Sequence, residues 1–319
     1  QVITTWSLWW VVMVRDLAWW RDDAATVRAQ LPAMRTVLET FLAAMGPDHL
    51  LRPPPGWNLV DWVWGRGWTD GVPPDGGHGC TAAIQWQWVI TLQAAAELED
   101  ACGEPELAAR CRLLAVAARQ GAERFYAAGR GLYADDLDHR CFSEHANALA
   151  LVAGGLLPAR QTALVEALLA PAGDLAPASL YFTHQILEAA WTTRRADLLL
   201  RRLSAWDGLA DQGLRTVIEC PEPTRSDCHA WAAHPLFHAL ASILGVRPAA
   251  PGFAAVRIEP LLGDLPWAAG VLLHPRGAIR LDLRRGPHGL AGTIHLPPGI
   301  TGTFIDAGHS LVLVPGENR

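Results

Sequence analysis

The sequence predicts a mainly helical fold, a toroid of helical hairpins, followed by a small antiparallel β-sandwich. Three observations carry that prediction. Apolar residues recur at helical spacing through the first three quarters of the chain. The helices so read come in pairs with short turns, and the pairs are separated by longer loops that hold most of the Gly and Pro. From about residue 254 the spacing changes to period two, broken by Gly- and Pro-containing turns.

Helices are expected near 7–21, 24–46, 79–102, 104–127, 144–155, 158–170, 179–192, 194–211 and 228–245. Asp22 and Asp23 precede the second, and Gly46-Pro47 ends it. Gly103 separates the third from the fourth. Pro158 opens the sixth in its first turn, where a missing N–H costs nothing. Gly245 closes the ninth, with Pro248 beyond. Short strands are expected at Val256–Ile258, Ala278–Leu283, Leu290–Leu296 and Gly302–Ile305. The long loops at 47–78, 128–143, 171–178 and 212–227 would share one face, and loops on a rigid scaffold are where sites usually lie. A full toroid of six hairpins needs twelve helices, so about three are expected upstream of Gln1. The chain therefore reads as the C-terminal part of a longer polypeptide, with a helical domain over 1–250 and a β-sandwich domain over 251–319.

The chain has 319 residues, half of them hydrophobic, which is ample for a buried core and excludes disorder as the main state. A net charge of −6 argues against a nucleic-acid groove or an anionic membrane surface. No apolar run reaches the ~18–20 residues of a membrane helix. All 26 basic residues are Arg, a compositional bias shared with the excess of Ala and Leu. The six Cys show neither a CxxC pair nor metal-ligand spacing, and no cofactor motif appears, so neither a metal nor a cofactor is expected. No signal peptide is visible within the sequence, and with part of the polypeptide expected upstream of Gln1 the compartment stays open, the cytoplasm being the expectation. The 15 Trp against 3 Tyr and 7 Phe fit either thick helix packing or flat platforms for sugar rings.

Three segments concentrate polar and aromatic groups. In Gly56–Gly65, Trp57, Asp61, Trp62 and Trp64 crowd a loop, and the tryptophans fall at 57, 62 and 64 where an apolar helix face would space them by three or four. Either the loop plugs one end of the toroid, or Asp61 bonds sugar hydroxyls while a Trp stacks on the apolar face of the ring. The stretch Gly213–Pro235 holds the densest cluster of ionisable residues. Within it Asp227 reads as a helix cap. Glu219 is either paired with Arg215 or Arg225 or free to act as a base; His229 and Trp231 point apart on any helix. The third segment, Phe142–Asn147, reads first as a cap before an apolar helix.

Ser7-Leu-Trp9-Trp10, Trp57-Asn-Leu-Val-Asp61-Trp62, Phe142-Ser-Glu-His-Ala-Asn147 and above all Glu222-Pro-Thr-Arg-Ser-Asp-Cys-His-Ala-Trp231 resemble bacterial α-L-rhamnosidases of glycoside hydrolase family 78. Arg247–Phe253 is similar to that family's junction with its C-terminal β domain. The resemblance spans essentially the whole chain. It implies an (α/α)6 catalytic barrel and a β-sandwich, and inverting hydrolysis of terminal α-L-rhamnose from a rhamnose-containing glycoside or oligosaccharide. One carboxylic acid protonates the leaving oxygen and a second carboxylate activates water. By position Glu219 matches the base. Asp61 and Trp62 match the segment that contacts the sugar, and His229 matches a histidine near it; Trp57, Trp64 and Trp231 are the further expected substrate-binding residues. Arg215 or Arg225 would hold the Glu219 carboxyl ionised. The family's acid-bearing segment has no counterpart before Trp6, so the missing N-terminal part of the same polypeptide is the expected partner, and these residues alone are expected to be weakly active or inactive. Two other readings stand beside this one: a non-catalytic carbohydrate-binding or scaffold module on the same fold, and another six-hairpin glycosidase such as an unsaturated uronyl hydrolase, in which Asp61 would lead and Glu219 would be dispensable.

Overall fold

The computed structural model of the chain describes residues 2–170, 173–221, 223–224, 226–287 and 289–319. Glu222, which opens the motif quoted above, and Arg225, named above as an ion-pair partner, lie outside the described residues. The described part is helical first and mostly antiparallel sheet afterwards. The helices are α1 (Thr4–Trp20), α2 (Ala24–Leu42), α3 (Ala82–Cys102), α4 (Pro105–Ala122), α5 (Glu144–Ala153), α6 (Pro158–Leu169), α7 (Thr183–Thr192) and α8 (Ala196–Leu203). Connectors at 21–23, 103–104, 154–157 and 193–195 are short, while those at 43–81, 123–143 and 170–182 are long. The short turns follow from local chemistry. Gly103, with φ 85°, caps α3 in the left-handed region. Pro105 and Pro158 each open a helix at its first turn. Among the described residues no helix is long and apolar enough to cross a membrane.

The chain forms two compact units, Gln1–Arg15 with Ala25–Thr193, and Asp16–Ala24 with Arg194–Arg319. In the first, α3 is buried on nearly every side, in keeping with its apolar circumference. Its buried polar groups are satisfied by neighbouring backbone. Gln85 accepts from Leu51 N–H (2.8 Å) and donates to Ala118 C=O (2.7 Å), and Gln87 donates to Thr5 C=O (2.8 Å). A two-residue β pair, β1 (Tyr126–Ala127) with β2 (Leu132–Tyr133), interrupts the loop after α4.

The second unit carries β3 (Val246–Pro248), β4 (Ala255–Ile258), β5 (Trp267–His274), β6 (Gly277–Gly286), β7 (Gly289–Leu296), β8 (Thr301–Asp306), β9 (His309–Leu313) and β10 (Gly316–Asn318). They make two four-stranded sheets, ordered β10-β7-β6-β5 and β3-β4-β8-β9. Val256, Ile258, Leu272, Ile279, Leu281, Leu283, Ile294, Leu296 and Leu313 form one buried cluster drawn from both sheets. The alternation in β6 is the cause: Ile279, Leu281 and Leu283 point inward, and Arg280, Asp282 and Arg284 do not.

The structure corrects three expectations. The sheets are not wholly antiparallel, because β4 pairs with β8 in parallel. Strands β5, β6 and β7 lie between those two strands in sequence, which is ample for the crossover a parallel pair requires. The helix expected over 228–245 is broken into a 3-10 turn (Ala230–Ala232), a four-residue helix (Pro235–His238) and a π turn (Ala239–Ile243). Pro235 lacks the N–H a continuous helix would need and clashes with the preceding turn. No α-helix begins at Asp227, which is exposed and caps nothing there. The change from helix to strand falls at Val246, yet residues 194–245 group with the sheets.

Candidate functional site

The tryptophan loop belongs to the first unit and is pinned at both ends. Trp57 N–H donates to Val2 C=O (2.9 Å), and Thr4 and Thr5 at the start of α1 bond Asn58 and the Leu59 carbonyl. Further on, Val60 N–H donates to Gly71 C=O (2.9 Å) and Gly71 N–H to Val63 C=O (3.2 Å), closing the loop on itself. Trp62 and Trp64 stack with centroids 5.2 Å apart and planes 10° apart, and Trp57 meets Trp62 edge-on at 5.4 Å. Asp70 takes both outer indole N–H groups, Trp57 on its carbonyl (3.0 Å) and Trp64 on its carboxylate (3.2 Å). Trp57 and Trp62 are half-buried, while Trp64 is 60% exposed. The arrangement offers an aromatic surface whose polar edges are already satisfied, the kind of surface on which the apolar face of a sugar ring can lie.

Asp61 departs from its expected role. It is fully buried, and its carboxylate accepts four hydrogen bonds from within the protein. Oδ2 accepts from His145 Nε2 (2.7 Å) and Ser179 N–H (2.8 Å). Oδ1 accepts from Trp62 N–H (2.8 Å) and the Ser179 hydroxyl. In this conformation no Asp61 oxygen is left for a sugar hydroxyl, and the residue acts on the loop that carries the tryptophans.

Around it lies a buried polar layer that the sequence indicated only in part. Ser143, the N-cap of α5, accepts from Ala146 N–H (3.3 Å) and donates to Asp135 (2.6 Å). Asp135 also accepts from Trp68 Nε1 (3.1 Å). Burial raises the Asp135 carboxyl above the usual carboxylate range, and the Ser143 and Trp68 donors pull against that rise. The Tyr181 phenol is likewise raised, first by burial and then by the Asp61 charge. Glu144 accepts from Ala178 N–H (2.9 Å), and Asn147 spends its amide on Tyr133 and Ser143.

Glu219, His229 and Trp231 belong to the second unit. Glu219 N–H donates to Ser226 C=O and His229 N–H to Val217 C=O, both at 2.9 Å, so the two runs face each other as a hairpin. The Glu219 residue is buried at 5% exposure. Thr224 and Ser226 bond the hairpin's own backbone. The His229 and Trp231 rings lie 4.3 Å apart, tilted by 49°. Arg215 is exposed. The hairpin thus presents a carboxylate on braced backbone, with an aromatic pair at its outgoing end.

Sequence reasoning did not single out Ser179 or Asp70. Ser179 meets Asp61 across more than a hundred residues, a contact no local pattern reveals. From the sequence, His145 stands with Glu144 and Asn147 as a residue that could line a cleft; its partner Asp61 is not visible there.

Residues 245–309 match the family model described as the bacterial alpha-L-rhamnosidase C-terminal domain. No curated protein sequence matches the chain. Among solved structures, the chain is similar to the GH78 family rhamnosidase of Bacillus sp. GL1, with a TM-score of 0.83 and 25% identity over 96% of this chain and 33% of that one. The α-L-rhamnosidase of Streptomyces avermitilis, complexed with L-rhamnose, gives 0.72 and 19% over 96% of this chain and 32% of that one. The Klebsiella oxytoca rhamnosidase with rhamnose bound gives 0.63 and 21% over 75% of this chain and 47% of that one. At those lower identities the last two likenesses are of fold. The chain spans about a third to a half of the length of these structures. It resembles the C-terminal portion of GH78 α-L-rhamnosidases, and residues 245–309 carry the match to that family's C-terminal domain.

Proposed function

We propose that the protein containing this chain is an inverting glycoside hydrolase that removes terminal α-L-rhamnose, and that Glu219 is its water-activating base. The observation that carries the reading is the seat of Glu219: a buried acidic residue whose backbone N–H is bonded to Ser226 C=O, on the hairpin that runs into His229 and Trp231. A base must hold its attacking water in a fixed place, and braced backbone does that better than a free loop. Trp57, Trp62 and Trp64 supply a stacking surface, and His229 with Trp231 a second aromatic edge. The helical hairpins belong, in this reading, to an (α/α)6 toroid; the alternation of short and long connectors supports it. The proton-donating acid is assigned to a part of the protein outside these residues, at the roughly 6.5–9.5 Å from the base that leaves room for water.

In the full-length protein, Glu219→Gln should lower kcat on an aryl rhamnoside by about three orders of magnitude or more while leaving rhamnose affinity similar. Azide should restore part of the turnover and yield the β-configured glycosyl azide, because a small anion fits the vacated water position on the inverting face. Near-normal kcat in Glu219→Gln would remove the residue from the chemistry and return it to a structural role.

A further inference from the structure

We infer that His145, Ser179 and Asp61 are positioning residues, whose joint task is to hold the Trp62–Trp64 stack in place. Only the last consequence, an effect on sugar binding, rests on the function proposed above. The argument begins with His145. Its ring is fully buried between Trp68 (4.4 Å) and Phe182 (4.3 Å). Nε2 lies 2.7 Å from Asp61 Oδ2, and the other three contacts on that carboxylate all come from donors, so the tautomer with the proton on Nε2 completes the set. Nδ1 is buried and has no hydrogen-bond partner. Filling an aromatic slot with a ring that leaves one nitrogen unsatisfied is unfavourable by itself. What His145 supplies, and phenylalanine would lack, is the Nε2–H aimed at Asp61.

Asp61 passes this restraint to the loop. Its Oδ1 accepts the N–H of Trp62, and its carbonyl accepts the N–H of Val63 at 2.8 Å. The backbone at 61–63 is therefore closed into a tight turn that leads the Trp62 and Trp64 side chains to one side, where they stack. Ser179 holds the same carboxylate through both its N–H and its hydroxyl, just ahead of α7, while His145 stands in the first turn of α5. The orientation of the aromatic surface is thus set from two helix starts, by the fully buried His145 and the half-buried Ser179.

The test uses the full chain, near-ultraviolet circular dichroism and L-rhamnose as the probe. The difference spectrum between the unsubstituted protein and Trp64→Ala defines the band of the stacked pair. His145→Phe, which keeps the packing and removes the donor, should lose at least about half of that band and weaken L-rhamnose binding about fivefold or more. His145→Gln, whose amide nitrogen can reach the place of Nε2, should restore both. Ser179→Ala carries the same expectation if His145→Phe does not fold. A band left intact in folded His145→Phe, or in Ser179→Ala where that variant stands in, would overturn the inference. A band lost with L-rhamnose affinity unchanged would uphold the positioning role and overturn the reading of the tryptophans as a sugar platform.

Discussion

Asp70 and Gly71 show how much of the tryptophan loop rests on single residues. Asp70 holds two indole N–H groups with one residue's oxygens, its carbonyl and its carboxylate. Gly71 sits at φ 75°, and a Cβ there would come 2.1 Å from Leu59 Cδ1 and 2.5 Å from the Asp61 carbonyl, so the closed loop admits only glycine. Away from the loop, Cys111 on α4 is a buried thiol whose pKa burial pushes up to about 11. Because the folded chain keeps this proton when the unfolded chain has lost it, its contribution is fully present below about pH 9 and is lost as pH rises towards 11. Thermal unfolding followed across that window should show falling stability, and Cys111→Ala should flatten part of the fall, by at most ~2.7 kcal/mol. Cys80, Cys102 and Cys141 are raised in the same direction, so some slope should remain.

At the scale of the element, α3 depends on polar residues that its apolar pattern hides. Gln85 serves the Leu51 N–H and the Ala118 and His49 carbonyls at once. Gln85→Leu keeps the volume and strands those groups, so it should destabilise the protein by about 2–4 kcal/mol in denaturant titration. Helices with a clear apolar stripe and a Gly or Pro boundary were legible in the sequence to within a few residues at most ends. The 228–245 segment was not, because its apolar spacing outweighed Pro235 in the reading, while in the chain the missing N–H decides. β5 was missed for the opposite reason. Trp267, Ala269, Val271 and Leu273 are apolar on the outward side, so the strand lacks the alternation that marked β6. β3 and β10 are three residues each, too short to leave a period.

Across the whole molecule, sequence distance and spatial grouping part company. Residues 16–24, at the end of α1 and the turn after it, group with the sheets rather than with the helices that follow them. Trp20 is the anchor: its ring lies edge-on to Phe237 at 5.6 Å and to Phe253 at 5.3 Å, against the buried cluster of the sandwich. Trp20→Ala should therefore cost about 2–4 kcal/mol, measured as lost thermal stability of the sheet unit, although the residue lies far from it in sequence. Conservative Trp20→Phe should recover most of the loss, since a second ring keeps the edge contacts.

The sequence by itself determined the helical pairs, the turn to period two near residue 254 and the crowding of Trp57, Trp62 and Trp64, because each is written in spacing over a few neighbouring residues. Its motifs also carried the resemblance to family 78 rhamnosidases that the fold and the match over residues 245–309 support. Tertiary structure alone decided that the Asp61 carboxylate turns inward to His145 and Ser179, that β4 and β8 run parallel, and that Trp20 belongs to the sandwich. The reason is the same in each case. A buried carboxylate needs donors and an aromatic ring needs a surface, but which ones they find depends on chain segments brought together from dozens to more than two hundred residues away, and no local period records such a meeting.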